Sequence, residues 1–470
     1  MINPSIFKAY DIRGVYDKDF SADDVEKIIR GIYKFFSEYF GSQELVISLG
    51  RDMRNSSPEI YQKALNTLLH YPVKVLDLDL CSTPGFYYSV LKLSADAGIQ
   101  ITASHNAGEY NGIKFVMRKG DRIIKVSGAF GMDQVKEAVL SESFVPYQEK
   151  IGKKESHHHF DNIYVQDTIA YMGNPTYTKK YKIAVDTANA MGILYLRPFF
   201  ERYSQNFQVN YINQDLDGSF PAHLADPLVA ENLKPLQELV KKTSSDLGVA
   251  PDGDGDRIFF VDNQFNIINP TLVTALISDY AFSDNKSYTV VVDVRYTRNV
   301  EAICKKYNKN LTLVRVGHSF ITEKVNEQKA YFAGESSGHY YFYDFGGAEN
   351  SLLVLMYMLK AIDEKNKPVF EIVNSYAASF ESGEYNFVLP DNLTADQLFN
   401  KLKKLYKDAQ VLEIDGFTAE FSNWRFNFRS SNTEPLVRLN LEADSKDLLK
   451  SKLNELQEFL RSNGLRPKVE

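Results

Sequence analysis

Three aspartates alternate with glycines in Pro251-Asp-Gly-Asp-Gly-Asp-Arg257. Glycine lets the backbone bend until Asp252, Asp254 and Asp256 converge. Three close carboxylates repel one another unless a cation sits among them, and hard oxygen donors favour Mg²⁺, Mn²⁺ or Ca²⁺. An EF-hand is excluded, because its sixth position would be Arg257 and its twelfth Asn263. The competing reading is an acidic surface turn. Arg257, next to the cluster, is suited to a phosphate that the metal also touches. A second group is Thr102-Ala-Ser-His-Asn-Ala-Gly108, followed by Glu-Tyr-Asn-Gly-Ile-Lys114. Ser104 is a candidate nucleophile there; His105 and Lys114 are candidate proton handlers or anion ligands. Alone, this stretch reads equally as a polar loop, since no Gly-x-Ser-x-Gly elbow surrounds the serine. Gly334-Glu-Ser-Ser-Gly-His-Tyr340 offers Glu335, Ser337 and His339 from a turn, groups that suit a polyol such as a sugar. Phe428-Arg-Ser-Ser-Asn-Thr-Glu-Pro435 places Arg429, Ser431, Asn432 and Thr433 at close spacing, a donor set for a phosphate. Each of the last two also reads as an ordinary polar or capped turn.

The elements that would carry these loops follow a repeated design: apolar strand, polar loop, amphipathic helix. It occurs at Leu45–Asp52 with a helix from near Pro58, at Lys182–Asp186, and at Tyr288–Asp293. Apolar strands alternating with helices predict buried, largely parallel sheets, and spacings above 100 residues predict three similar α/β domains rather than a solenoid. Ser21-x-x-Asp24 resembles a capping box opening a helix with Val25, Ile28, Ile29, Ile32 and Phe36 on one face. Ser351 to Leu359 reads as a buried helix, too short to span a membrane. The end of the chain differs: strands at 386–389, 425–428 and 436–441 with helices at 394–406 and through Leu449, Leu453, Leu456 and Leu460 predict a small α+β domain. Residues 146–180 read as a polar linker. The predicted boundaries are 1–150, 151–265, 266–378 and 379–470.

Composition narrows the class. Hydrophobic residues make up 44% and charged residues 24% of 470, which excludes a disordered, collagen-like or disulfide-scaffold chain. With 54 Lys+Arg against 61 Asp+Glu, the net charge is −7, which disfavours nucleic acid or anionic lipid as partner. Two distant cysteines, Cys81 and Cys304, give no disulfide framework and fit a cytoplasmic setting. Three features are set aside. Gly253-x-Gly255-x-x-Ile258 lacks the third glycine of a dinucleotide fingerprint, no phosphate-binding Gly-x-x-x-x-Gly-Lys-Ser/Thr loop occurs, and His157-His158-His159 reads as a solvated tract.

Taken in order, the four motifs resemble the α-D-phosphohexomutase superfamily, especially its bacterial phosphomannomutase/phosphoglucomutase branch. Phe7-Lys-Ala-Tyr-Asp-Ile-Arg-Gly14, Gly50-Arg-Asp-Met-Arg54 and Gly317-His318 extend the likeness over nearly the whole chain. The resemblance implies three α/β domains and a C-terminal α+β domain around a central cleft. It implies that Ser104 is the phosphoserine and that Asp252, Asp254 and Asp256 hold Mg²⁺ with a phosphoserine oxygen. It places Arg257 and His105 beside the phosphoryl group, matches Lys114 to a general base, and matches Arg13 and Tyr10 to residues near the transfer site. Glu335 and Ser337 match contacts to sugar hydroxyls, with His339 and His318 nearby. Arg295 stands where a lysine is common. Arg429, Ser431, Asn432 and Thr433 match the clamp on the non-reacting phosphate. The implied reaction interconverts hexose 1-phosphate and hexose 6-phosphate, of mannose or glucose, through a hexose 1,6-bisphosphate, in a monomer or homodimer. Asn-Ala-Gly replaces the Asn-Pro-Pro of many relatives after His105, and the segment from Tyr340 to Asn350 is shorter than in many. Glucosamine phosphate as substrate, a Mg²⁺-dependent phosphatase and a sugar-phosphate sensor are the competing readings.

Overall fold

The computed structural model describes residues 2–128, 130–149, 151–430 and 436–468. Its chain divides into two compact units: Met1–Ile268 with Val325–Glu327 and Ser337–Ile372, and Asn269–Lys324 with Gln328–Ser336 and Val373–Glu470.

The first unit is built on two mixed sheets. Strands β1 (Ile12–Val15), β2 (Leu45–Arg51), β3 (Val73–Leu80), β4 (Ala97–Ile101), β5 (Tyr110–Lys119), β6 (Arg122–Lys125) and β7 (Lys153–Ser156) form one sheet in the order β1-β5-β4-β2-β3-β7, with β6 paired to β5. β2 runs parallel to β3 and β4, while β5 is antiparallel to β4 and β1. Ile47, Leu49, Ile99 and Ile101 on the inner strands are fully buried, as expected where helices cover both faces. Helix α1 (Ala22–Phe40) buries Val25, Ile28, Ile29, Ile32 and Phe36, the predicted apolar face. Asp24 accepts the Ser21 backbone N–H and hydroxyl, so the predicted start is present.

The second sheet has the order β12-β11-β10-β8-β9, from β8 (Tyr181–Asp186), β9 (Phe207–Ile212), β10 (Leu247–Pro251), β11 (Ile258–Val261) and β12 (Ile267–Ile268). β8 is parallel to both β9 and β10; β10 turns back antiparallel into β11 with Pro251 opposite Ile258. The hairpin Tyr340–Phe342 with Ala348–Glu349 and the helix Ser351–Lys365 also belong to this unit. Asn350 caps that helix, accepting the Leu353 N–H at 2.9 Å and the Tyr164 hydroxyl at 2.6 Å.

In the second unit, strand β13 (Thr289–Asp293) runs parallel to Asn310–Val314 and to Phe332–Gly334. A six-stranded antiparallel sheet follows, with helices Ala395–Leu405 and Lys446–Ser462. It includes Phe380–Val388, Trp424–Ser430 and Leu436–Ala443, longer than predicted, and two further strands, Gln410–Leu412 and Phe417–Glu420. The fold class is therefore the expected one.

One expectation is corrected. Residues 146–180 are not merely a linker: β7 adds to the first sheet beside β3, and helix Asp161–Tyr171 buries Tyr164, Val165, Thr168 and Ile169. The polar composition misleads because β7 is an exposed edge strand, and edge strands favour lysine.

Candidate active site

Ser104 leaves β4 in a left-handed conformation, φ +51°, uncommon for serine. Its hydroxyl donates to Asp252 Oδ2 at 3.0 Å and lies 3.2 Å from His105 Nδ1; its N–H donates to the Thr102 hydroxyl. The serine is 3% exposed. The Asp252–Arg257 segment is the turn between β10 and β11, so the antiparallel register points three carboxylates to one place. One oxygen from each of Asp252, Asp254 and Asp256 lies within 4.8 Å of the others, and all three residues are buried.

The neighbours of these carboxylates explain their spacing. The N–H groups of Gly255 and Arg257 donate to Asp252 Oδ1 at 3.0 and 3.1 Å. Lys114, on β5, bridges Asp254 Oδ2 at 2.7 Å and Asp256 Oδ2 at 2.8 Å. The Thr83 hydroxyl also donates to Asp254. Oδ1 of Asp254 and of Asp256 are buried without a hydrogen bond. Burial, then Asp256 and Asp254, holds the Asp252 carboxyl well above the usual carboxylate range. Burial acts the same way on Asp256, but Lys114 and His339 outweigh it and hold that group low. Burial disfavours the Lys114 ammonium, yet Asp254 and Asp256 more than offset it and keep it charged. Asp256 Oδ1 lies 3.2 Å from His339 Nε2, which leaves Asp254 Oδ1 orphaned; hard oxygens, an excess of negative charge and that orphaned oxygen together fit a divalent cation.

Around this cluster stand the other expected residues of the first unit. Arg257 Nε donates to His339 Nε2 at 3.2 Å, and the His339 Nδ1 lies 3.0 Å from the Ser337 hydroxyl. Asp226 lies 3.5 Å from the Arg257 guanidinium. Arg13 donates to Asn106 Oδ1 and pairs with Asp11, while its Nε is buried without a partner. Burial, then Arg257 and Arg13, holds His105 well below the ordinary imidazole range, so its ring is neutral. Tyr10 is half-buried next to Asp11 on the approach to β1.

In the second unit, Arg295 is clamped by Asp293 at 2.9 Å and reaches Glu335 at 3.3 Å, so the loop that carries Glu335 and the end of β13 meet. His318 opens the helix His318–Gln328. Arg429 pairs with Glu384 at 2.9 Å, and Arg438, directly across the ladder from Arg429, pairs with the same carboxylate at 3.1 Å. Burial would raise the Glu384 carboxyl, but Arg429, Arg295 and Arg438 together lower it. Ser431, Asn432 and Thr433 lie outside the described residues.

Comparisons with known families cover nearly the whole chain. Models of the phosphoglucomutase/phosphomannomutase domains match in chain order: alpha/beta/alpha domain I at 4–130, domain II at 162–265, domain III at 269–380 and the C-terminal domain at 384–458. A phosphomannomutase of Methanocaldococcus jannaschii is 33% identical over 460 residues, covering 97% of each chain. The chain belongs to the phosphoglucomutase/phosphomannomutase family. It is an enzyme of intramolecular phosphoryl transfer. A phosphohexose mutase of Xanthomonas campestris is 30% identical over 97% of this chain and 99% of its own. The crystal structure of a family protein from Burkholderia thailandensis superposes over all of both chains with a TM-score of 0.88 at 29% identity.

Several residues of the site escape a reading by motif. Thr83 meets Asp254 across 171 residues of sequence, and Asp226 reaches Arg257 from a loop with no local signal. Arg54 was visible in Gly50-Arg-Asp-Met-Arg54, but not its role. Glu384 and Arg438 become legible only through the strand pairing.

Proposed function

We propose that this enzyme interconverts mannose 1-phosphate and mannose 6-phosphate, with the glucose phosphates as further substrates, by way of a phosphoryl group carried on Ser104. The observation that carries the reading is Ser104 itself: a buried left-handed serine whose hydroxyl reaches Asp252 beside two more carboxylates. The names of the curated relatives support mannose phosphate as the first substrate to try.

Phosphoryl transfer needs positioning and charge neutralisation. Asp252, Asp254 and Asp256 would hold Mg²⁺ together with Ser104, and the ion would supply charge stabilisation at the transferring group. Arg257 and Arg13 bring guanidinium groups toward the same place, and Arg13 has a donor to spare. Neutral His105 lies against the serine hydroxyl. Lys114, charged at rest, gives its proton to the departing sugar oxygen, and in the deprotonated form that results takes the proton of the attacking sugar hydroxyl. Glu335 and Ser337 take the sugar hydroxyls, and His339, His318, Tyr10 and Arg295 are further substrate-binding residues. Arg429, with Ser431, Asn432 and Thr433, holds the phosphate that is not reacting. The two ends of a hexose 1,6-bisphosphate exchange places between these sites, and that compound serves as activator. The four functional stretches correspond to domains 1–150, 151–265, 266–378 and 379–470.

A phosphorus NMR time course tests the reading. Mannose 1-phosphate and glucose 1-phosphate share one tube with Mg²⁺ and a trace of glucose 1,6-bisphosphate. The expected result is growth of 6-phosphate signals, fastest for mannose, and their loss in Ser104→Ala. Inorganic phosphate as the main product, or full activity in Ser104→Ala, refutes it.

A further inference from the structure

Arg54 is fully buried, and a buried guanidinium persists only with its donors and its charge satisfied. All five of its N–H groups are used. Nε donates to Asp52 at 3.1 Å. One terminal nitrogen donates to the carbonyls of Ala107 at 2.6 Å and Tyr110 at 3.0 Å; the other donates to those of Ser104 at 2.8 Å and Asn106 at 2.6 Å. Three of the five bonds therefore end on the loop that carries the reacting serine, and a fourth ends on Tyr110, where that loop enters β5.

We propose that Arg54 is a positioning residue for phosphoryl transfer: its guanidinium holds the Ser104 loop so that the serine hydroxyl faces Asp252. The proposal rests on the reading of Ser104 as phosphoryl carrier. A left-handed serine is strained and persists only where its surroundings over-determine it. Here the Ser104 carbonyl is gripped by Arg54, and Gly253 of the aspartate turn lies so close that a Cβ there would be 2.2 Å from the same oxygen. Asp52 supplies the counter-charge and is itself fixed, accepting the Arg54 N–H at 3.0 Å and the Ser57 hydroxyl at 2.5 Å. Phe220 lies over the guanidinium at 5.1 Å, and Gly218 packs against the Arg54 backbone, where a Cβ would be 2.5 Å away. One side chain thus joins the loop after β4, the loop after β2 and the 213–229 loop at the serine. Arg54 touches no reacting atom; it acts through the carbonyl of Ser104. A lysine keeps the charge but reaches one or two of the four carbonyls, because the planar fork is lost.

The test compares Arg54→Lys, Arg54→Ala and Asp52→Asn with the full-length wild type in the hexose phosphate assay, alongside chemical unfolding of each. Small misplacements of reacting groups cost on the order of 100-fold. Arg54→Lys is expected to lower kcat by about that factor with KM changed less than about threefold, the signature of an interaction made in the transition state. Guanidinium ion is expected to restore part of kcat in Arg54→Ala and none in the wild type. Where Arg54→Ala does not fold, Asp52→Asn, which keeps the arginine but frees its orientation, must show the same kcat-only loss. A rise in KM at constant kcat, a loss of activity no larger than the loss of folded protein, or a folded Arg54→Ala that guanidinium does not help each overturns the proposal. Ser104→Ala separates the two levels. If it is active, the phosphoryl-carrier reading falls; if it is inactive while the Arg54 variants keep their kcat, only the positioning role falls.

Discussion

Gly253 shows how much of the site is set by the absence of an atom. It separates two of the three aspartates, and its place against the Ser104 carbonyl admits no side chain, since a Cβ would sit 2.2 Å from a backbone oxygen. Gly253→Ala must therefore push the aspartate turn and the serine loop apart, overpacking that costs about 1–3 kcal/mol. Activity should fall much further than stability, because Ser104 and Asp252 separate. Measuring kcat beside the urea midpoint checks this; equal, small effects on both would show that the two loops accommodate each other. The same residue marks the limit of reading by sequence. Alternating Asp and Gly announced converging carboxylates, and Ser104, His105 and Lys114 were legible as candidates that the fold brings to the same place. That the glycine faces the serine, 149 positions away by number, depends on how β4 and β10 are placed, and neither loop encodes that. Arg54 escaped for the same reason: its partners are backbone carbonyls, which carry no residue-type signal at all.

Elements were legible where burial and periodicity agree. The inner strands β2 and β8 are apolar on both faces and were predicted within a residue or so of their observed limits. The last domain was harder. Strand Phe380–Val388 alternates weakly, carries Glu381 and Glu384, and has a register shift between them, so only its final part read as a strand. Those two carboxylates have opposite environments. Three arginines lower Glu384, whereas burial, with Glu442 and Asp293 nearby, pushes Glu381 up to about 8. Protonated Glu381 meets the Thr271 hydroxyl and, at 3.1 Å, the Asn299 amide. A carboxyl raised in the folded state contributes stability that is complete below its unfolded value, about 4.3, and lost as pH rises toward the folded one. Glu381→Gln keeps the shape and an acceptor while removing the ionisation. The variant and the wild type should therefore have equal unfolding midpoints near pH 4, and the variant should be the more stable above pH 8. A difference between them that does not vary with pH would contradict the assignment.

At the scale of the molecule, the sequence indicated three α/β domains and a smaller fourth, but not the division into two compact units. The helix Ser351–Lys365 is apolar nearly all round, which says that it is buried and not where. The structure answers through Tyr164, whose hydroxyl meets Asn350 and so gathers a stretch of the third family segment into the first unit. That unit also contains Ser104 and all three aspartates, so a bound cation should stabilise it as a ligand of the folded state alone. The sign and size follow from charge. Lys114 and Arg257 leave the three carboxylates incompletely balanced, and Asp252, raised by burial and then by Asp256 and Asp254, bears much of the repulsion. Free Mg²⁺ at 100 times its dissociation constant adds about 2.7 kcal/mol. Urea unfolding in Mg²⁺ against chelator, at constant ionic strength, should show a midpoint higher with the metal. Asp252→Asn should reverse the order of the two proteins. It removes a carboxyl whose ionisation is opposed by burial and by Asp256 and Asp254, so in chelator it should be at least as stable as the wild type; it also removes a ligand, so in Mg²⁺ it should gain less. If Mg²⁺ shifts both proteins equally, the cation acts elsewhere on this acidic chain, and the three aspartates are held by Lys114 on Asp254 and Asp256 and by the Gly255 and Arg257 N–H groups on Asp252.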